Sequence, residues 1–237
     1  MVEPIRFRQK MANDEYGLRA QERSQAYWLM SCLFLKVPDA GHLQELSRDL
    51  ALVDEVGALG ELRREVDAAL ECPEDAVLEF TRRLVTVGKS GGEPMPYESA
   101  AREATMPGGV TARVIALMND AGLSGVTHDA PAPDHIGAQL RFMALLCYEE
   151  GVARTIGKDA FADRLLAKQK HFLNEHLAAW APRYCDGLEA RAEHGYIKAI
   201  ARLTRACLLA DLAAIEEICT QLGVESTPVD RSLRNVH

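Results

Sequence analysis

Two adjacent polar residues stand at the start of an apolar helix and are the first candidates for chemistry. Asp134 and His135 precede a run in which apolar residues recur at steps of three and four. A carboxylate beside an imidazole can serve acid–base catalysis. Neighbouring residues at a helix start point in different directions, however, and no third partner is evident. The simpler expectation is that Asp134 accepts backbone N–H groups as a helix cap and that His135 is a partly exposed residue of the first turn.

A second polar segment, Pro96-Tyr97-Glu98-Ser99, follows a glycine-rich loop. It forms one loop mouth and Pro133-Asp134-His135 forms another, each backed by apolar helices. Such mouths suit peptide capture, in which apolar side chains contact the ligand and carboxylates pair with its basic groups. The apolar candidates are Phe80, Leu84 and Tyr97, and the carboxylate candidates are Glu93, Glu98 and Asp134. The alternatives are that Tyr97 covers the core and that Ser99 caps the short helix after it.

Other motifs of catalytic or cofactor-binding proteins are incomplete. Gly88-Lys89-Ser90 resembles the end of a phosphate-binding loop, but Arg83 occupies the place of the first glycine. His171 and His176 are five residues apart and lie on different faces of a helix. The sequence has no H-E-x-x-H, C-x-x-C or dinucleotide-binding glycine pattern. We therefore expect no catalytic residues, no metal and no cofactor, and rank an enzyme last.

Composition limits the partners and the compartment. The 237 residues carry 35 acidic and 27 basic side chains, a formal net charge of −8. This excess makes nucleic acid an unfavourable partner and a basic ligand a favourable one. The sequence has no run of about 18 apolar residues for an integral membrane segment, and its N-terminus has no apolar signal core. The six cysteines lie mostly in apolar runs. We expect a cytoplasmic protein with cysteines packed in its core.

The apolar spacing is helical throughout and predicts an all-α fold. Prolines, glycines and capping residues divide the chain into helices. The predicted helices cover 15–36, a segment capped by Asp39, 61–71, 73–87, 109–121, 134–155, 159–175, a shorter piece after Pro182, and 196–222. Irregular loops are expected at 88–96 and 122–133, and no strand-period segment of useful length occurs.

With these elements in place, the chain resembles the TorD family of cytoplasmic chaperones, to which DmsD belongs and NarJ is related. The resemblance covers about residues 15–217 and lies in the order of the pieces rather than in any one of them. The matching pieces are a first helix ending in Phe34 and Pro38-Asp39, Phe80 to Val85, Pro96-Tyr97-Glu98-Ser99, Pro133-Asp134-His135 with Gln139 to Met143, Lys170 to Leu173 with His176, Trp180 and Pro182, and a late helix opening at Tyr196.

The resemblance implies a single all-helical domain over 1–237, with halves at about 15–121 and 134–222 joined by a hinge at about 122–133. Family members are not enzymes. They bind the twin-arginine signal peptide, and often the mature part, of a molybdopterin-containing oxidoreductase, and delay its export until the cofactor is inserted. The family's signal-peptide motifs fall on Pro96 to Ser99 and on Pro133, Asp134 and His135.

The sequence leaves several alternatives open. Leu84-Val85 stands where many relatives have Leu-Phe, and tryptophans that some relatives carry near the first loop are lacking, so the client is undetermined. A monomer and a homodimer formed by exchanging halves are both compatible with the family. A helical small-molecule or nucleotide-binding regulator is the alternative function.

Overall fold

The structure, a computed structural model, describes residues 3–52, 56–85, 95–103, 108–127 and 130–224. For residues 3–13 and 126–127 it describes the backbone only. Every regular element in these ranges is helical, which confirms the predicted all-α class. The helices are α1 Glu3–Leu35, α2 Ala40–Leu50, α3 Gly57–Ala69, α4 Pro73–Phe80, α5 Glu98–Glu103, α6 Gly109–Asp120, α7 Ile136–Thr155, α8 Asp159–Phe172, α9 Ala178–Arg191 and α10 Gly195–Leu222. Two π-helical turns, Thr81–Val85 and Leu173–Leu177, and a 3₁₀ turn, Ser124–Thr127, complete them.

The long helices α1 and α7 pack along each other in opposite directions through a seam of small residues. Ser24 and Ser31 of α1 donate hydrogen bonds of 2.8 Å to the carbonyls of Ala144 and Gly137 of α7. One heptad before Ser24, Gly17 faces Gly151, and a Cβ on Gly151 would lie 3.2 Å from the Gly17 carbonyl oxygen. Facing residues thus recur every seven positions on both helices, so the seam stays between them along their length.

The remaining helices enclose this pair in one core. Helix α10 packs on α9, α3 and α8, and α2 packs on α3. The buried apolar cluster combines residues such as Leu33, Leu43 and Leu62 with Ile136 and Tyr196. Helices that precede and follow the predicted hinge therefore share one core, and the division of the chain into two halves remains a prediction.

A buried charged network ties α1 to three other helices. Arg23 donates to both carboxylate oxygens of Asp211, at 2.6 and 3.0 Å, and to the Gln169 side-chain oxygen at 2.7 Å. Tyr27 donates to the same aspartate at 2.6 Å. Gln169 continues the network by donating to Glu150 at 2.9 Å. Buried charges are tolerated only when they are paired in this way, so the network fixes which helix faces meet.

Several local predictions are confirmed. Asp39 caps α2 by accepting from the His42 backbone N–H at 2.8 Å, and Pro73 is the first residue of α4. The expectation of cysteines packed in the core is confirmed for Cys147, Cys185 and Cys219, whereas Cys32 and Cys207 are half-buried and Cys72 is exposed; all six are free. None of the described helices is long and apolar enough to cross a membrane.

The predicted break between 175 and Pro182 is wrong. The helical path continues from α8 through the π turn into α9, with Pro182 inside α9. A proline costs one backbone hydrogen bond. Burial of Trp180, Tyr184 and Cys185 on this helix offsets that loss. The predicted helix 73–87 changes to π geometry at Thr81, and Gly88-Lys89-Ser90 and Glu93 lie outside the described residues.

The seam predicts the effect of adding one methyl group. A Cβ on Gly137 would lie 2.5 Å from the Leu35 Cγ, so Gly137→Ala should lower the free energy of unfolding by about 1–3 kcal/mol in urea titrations. Gly41→Ala is the matched control, because Gly41 is likewise the second residue of its helix and a Cβ there would meet no atom closer than 3.4 Å. Leu35→Ala should cost less in the Gly137→Ala background than alone. Equal stability of Gly137→Ala and Gly41→Ala would contradict a close approach of the two helices at Gly137.

Candidate functional site

The two polar loop segments lie against each other. The Glu98 N–H donates to the Asp134 carbonyl at 3.0 Å, and the Ile136 N–H donates to the Pro96 carbonyl at 2.9 Å. These bonds form an isolated antiparallel bridge between Tyr97 and His135. The sequence predicted two loop mouths without showing that they touch. We refer to Pro96–Ser99 and Pro133–His135 together as the loop pair.

Asp134 connects the loop pair through its side chain as well. Its Oδ2 accepts from the Ser99 backbone N–H at 3.0 Å, and the residue is buried. It therefore caps α5, which begins at Glu98, rather than α7. The expectation that Ser99 caps this helix is wrong, because Ser99 is its second residue. The Ser99 hydroxyl is buried and makes no hydrogen bond within the described part of the chain.

His135 is the cap of α7 and is fully enclosed. Its Nδ1 accepts from the Gly137 N–H at 3.1 Å, and its ring meets the Tyr97 ring edge-on with centroids 5.1 Å apart. Only 1% of His135 is exposed, so the expectation of partial exposure is wrong. Burial lowers the pKa of His135 from 6.5 to about 4, and the nearby Asp134 charge only partly opposes this shift. The imidazole is neutral at pH 7, with its proton on Nε2.

Glu98 anchors the loop pair to the C-terminal helices. Its buried carboxylate accepts from Gln139 of α7 at 2.5 Å and from Arg102 of α5 at 2.6 Å. The His176 Nδ1 lies 3.1 Å from both carboxylate oxygens and donates to them. Trp180 in turn donates to Gln139 at 3.1 Å. A buried carboxylate with donors on every side is held in one position.

Three residues of this network were not predicted as part of the site. Gln139, His176 and Trp180 were recognised only as pieces of the resemblance. Their spacing carries a weak signal, since Gln139 lies one helical turn after His135 and Trp180 lies one turn after His176. What joins them is a carboxylate from a distant segment, and single-sequence periodicity does not show that contact.

The predicted apolar contacts are part of the core in this conformation. Phe80, Leu84 and Tyr97 are 2%, 4% and 6% exposed, so none offers surface to a ligand. Tyr97 adopts the alternative arrangement, an aromatic side chain covering the core. Pro96 is buried and Pro133 is half-buried. The participation of these residues in binding remains a prediction.

The arrangement does not resemble a catalytic centre. Asp134 and His135 bond to different partners, and the His135 Nδ1 is already used as an acceptor, so the pair forms no acid–base dyad. The part of the chain that the structure describes holds no group of three His, Cys, Asp or Glu side chains placed to bind a metal. The geometry instead fixes two loops to each other and to α7.

Burial of His135 predicts a pH-dependent stability. The folded pKa of about 4 lies below the ordinary value of 6.5, so protonation favours the unfolded chain. The stabilisation is present above pH 6.5 and is lost as the pH falls toward 4, amounting to about 3 kcal/mol in full. In His135→Asn the amide oxygen can still cap α7 but does not titrate. Urea titrations between pH 7 and 4.5 should show a smaller loss for this variant, and identical slopes would contradict the assignment.

Comparisons with known proteins place the chain in a family. The family model described as nitrate reductase delta subunit matches residues 50–186, more than half of the chain. The selenate reductase assembly chaperone of Thauera selenatis is 44% identical over 62 residues, 26% of this chain and 31% of that protein. The chlorate reductase assembly chaperone of Ideonella dechloratans is 43% identical over 58 residues, 24% of this chain and 29% of that protein.

A third relative matches over most of its length. The chaperone protein TorD of Photobacterium profundum is 24% identical over 205 residues, 81% of this chain and 94% of that protein. The chain thus spans less than a third of the selenate and chlorate reductase chaperones in these matches, and nearly all of TorD. The chain belongs to the nitrate reductase delta subunit family, the family of the TorD-like and NarJ-like chaperones.

Proposed function

We propose that the protein is an assembly chaperone that binds the twin-arginine signal peptide and the mature part of a molybdopterin-containing oxidoreductase. The observation that carries the proposal is the family match over residues 50–186, which includes both segments of the loop pair. Selenate reductase and chlorate reductase appear in the names of two relatives as the enzymes they assemble. The chaperone acts in the cytoplasm, where such a client is held before export.

The charge of the chain suits this ligand. A twin-arginine peptide presents two guanidinium groups followed by an apolar stretch. A protein with net charge −8 attracts such a peptide over long range and speeds their encounter. Burial of the apolar stretch then supplies most of the affinity, at about 25 cal/mol per Å² before the cost of ordering the peptide.

Contact between the peptide and the loop pair requires the two loops to separate. They are joined by two backbone hydrogen bonds and the bond from Ser99 to Asp134. Each contributes about 0.5–1.5 kcal/mol net, and contacts with the client must offset this cost together with the exposure of the buried Tyr97 and His135 rings. Separation exposes the Asp134 carboxylate, which then pairs with an arginine of the peptide. It also exposes the Tyr97 ring, which then contacts apolar side chains of the peptide.

The proposal predicts saturable binding of one leader peptide in calorimetric titrations with the leaders of the host's molybdoenzymes. Changing both arginines of that leader to lysine should weaken binding, because lysine cannot make the bidentate contact. Guanine and adenine nucleotides should give no saturable heat, and saturable heat from them would favour the regulator instead. Failure of every leader and of the mature enzyme to bind would contradict the proposal.

Asp134→Asn tests the loop pair. Removal of the carboxylate should raise the dissociation constant of the leader about tenfold, as expected for a lost charge-assisted contact. Asp75→Asn is the control, because it removes the same charge from an exposed position of α4. Tighter binding by Asp134→Asn would mean that Asp134 only holds the loops closed.

A further inference from the structure

An apolar groove lies on the surface, lined by residues of α1, α2 and α7. Its volume is about 760 Å³, and its lining includes Trp28 and Leu29 of α1, Leu46 and Leu50 of α2, and Tyr148 of α7. Groove-lining residues run from Ser24 of α1 to Lys36, which directly follows the helix. At 1.5 Å per residue this stretch is about 18 Å long, enough for about three turns of a bound helix. None of the loop-pair residues lines the groove.

Large apolar side chains remain exposed in the groove. Trp28 is 48% exposed, Tyr148 is 54% exposed and Leu52, at the edge, is 89% exposed. Single exposed apolar residues are common on protein surfaces, but two aromatic residues and a leucine at one concave site are typical of a binding surface. Arg141 stacks over the Trp28 ring, 5.5 Å from its centroid, and helps to hold that ring in place.

The α2 side of the groove is acidic. Glu45 and Asp49 are exposed, lie one helical turn apart and both line the groove. Neither forms an ion pair or a side-chain hydrogen bond in the part of the chain covered by the structure, unlike Glu61, Glu150 and Glu189, which pair with arginines. Lys36 is the basic residue of the lining. Two unpaired carboxylates beside an apolar floor fit a ligand that is apolar and carries basic groups.

One buried polar group on the same side lacks a partner. Both ring nitrogens of His42 are shielded from solvent and make no hydrogen bond among the described residues, although the residue lines the groove. Burial lowers the pKa of His42, so the ring is neutral at pH 7 and offers one donor and one acceptor.

We propose that this groove holds the apolar segment of the client's signal peptide as a helix, with basic side chains of the peptide paired to Glu45 and Asp49. The inference rests on the proposed function and adds the surface at which the leader docks while the loop pair is still closed. Binding of a helix in a groove needs an apolar floor and flanking charges that set the direction of the bound helix. This groove provides both.

Tryptophan fluorescence reports occupancy of the groove directly. The chain has two tryptophans, of which Trp28 lines the groove and Trp180 is buried. In Trp180→Phe the emission comes from Trp28 alone. Titration with the leader that binds the wild-type chain should shift this emission to shorter wavelength, because the ring loses water contact, and Trp28→Phe should abolish the shift. A saturable leader that leaves Trp28 emission unchanged would overturn the inference.

Matched variants test the contacts by calorimetry without relying on Trp180→Phe. Tyr148→Ala should raise the leader's dissociation constant at least about tenfold, while Phe161→Ala, at an exposed aromatic residue of α8 outside the lining, should not. The double variant Glu45→Gln/Asp49→Asn should weaken binding and reduce its salt dependence. Glu71→Gln/Glu74→Gln removes equal charge from exposed positions outside the lining and should change only the long-range attraction.

The outcomes separate the two proposals. Leader binding that is weakened by the groove variants and not by their controls supports both. Leader binding that is equal in wild-type chain and groove variants overturns the groove and leaves the chaperone function standing. A wild-type chain that binds neither leader nor mature enzyme overturns both.

Discussion

The close contact of α1 with α7 is the constraint on which the rest of the structure depends. Small residues at heptad spacing, Gly17, Ser24 and Ser31 against Gly151, Ala144 and Gly137, allow the two backbones to approach and bond. This approach fixes where α7 begins, and so places His135 inside the protein. It also leaves, along one side of α1, the groove that α2 completes. Packing at the seam thus positions both candidate sites.

Two buried polar networks specify how the other helices meet this pair. Arg23 and Asp211 join α1 to α10, and Glu98 joins α5 to α7 and to the π turn that follows α8. An unpaired charge at either position would be costly, so both networks favour the observed register of the helices. The two candidate sites differ in what holds them: one is a buried loop pair and the other an exposed groove. The loop pair is held by directional bonds, whereas the groove offers apolar area and unpaired carboxylates.

Local signals in the sequence predicted most of the fold. Apolar spacing located the helices, and Asp39 and Pro73 marked two helix starts. The sequence did not predict continuity through Pro182, because burial of Trp180 and Tyr184 is a tertiary effect that offsets a local penalty. It singled out both segments of the loop pair but neither their contact nor their burial, since hydrogen bonds such as Ser99 to Asp134 join residues 35 positions apart. The exposed groove formed by Trp28, Leu46 and Tyr148 has no local signature, because each residue alone resembles an ordinary core or surface position.

Hydrogen–deuterium exchange of the chain with and without its bound leader tests the central claim that the groove receives the peptide and the loop pair opens in response. The account predicts slower exchange in the α1 and α2 segments that line the groove. It also predicts faster exchange at the Glu98, Ser99 and Ile136 amides, whose hydrogen bonds close the loop pair. Unchanged exchange in both regions while the leader is bound, or protection confined to other helices, would contradict it.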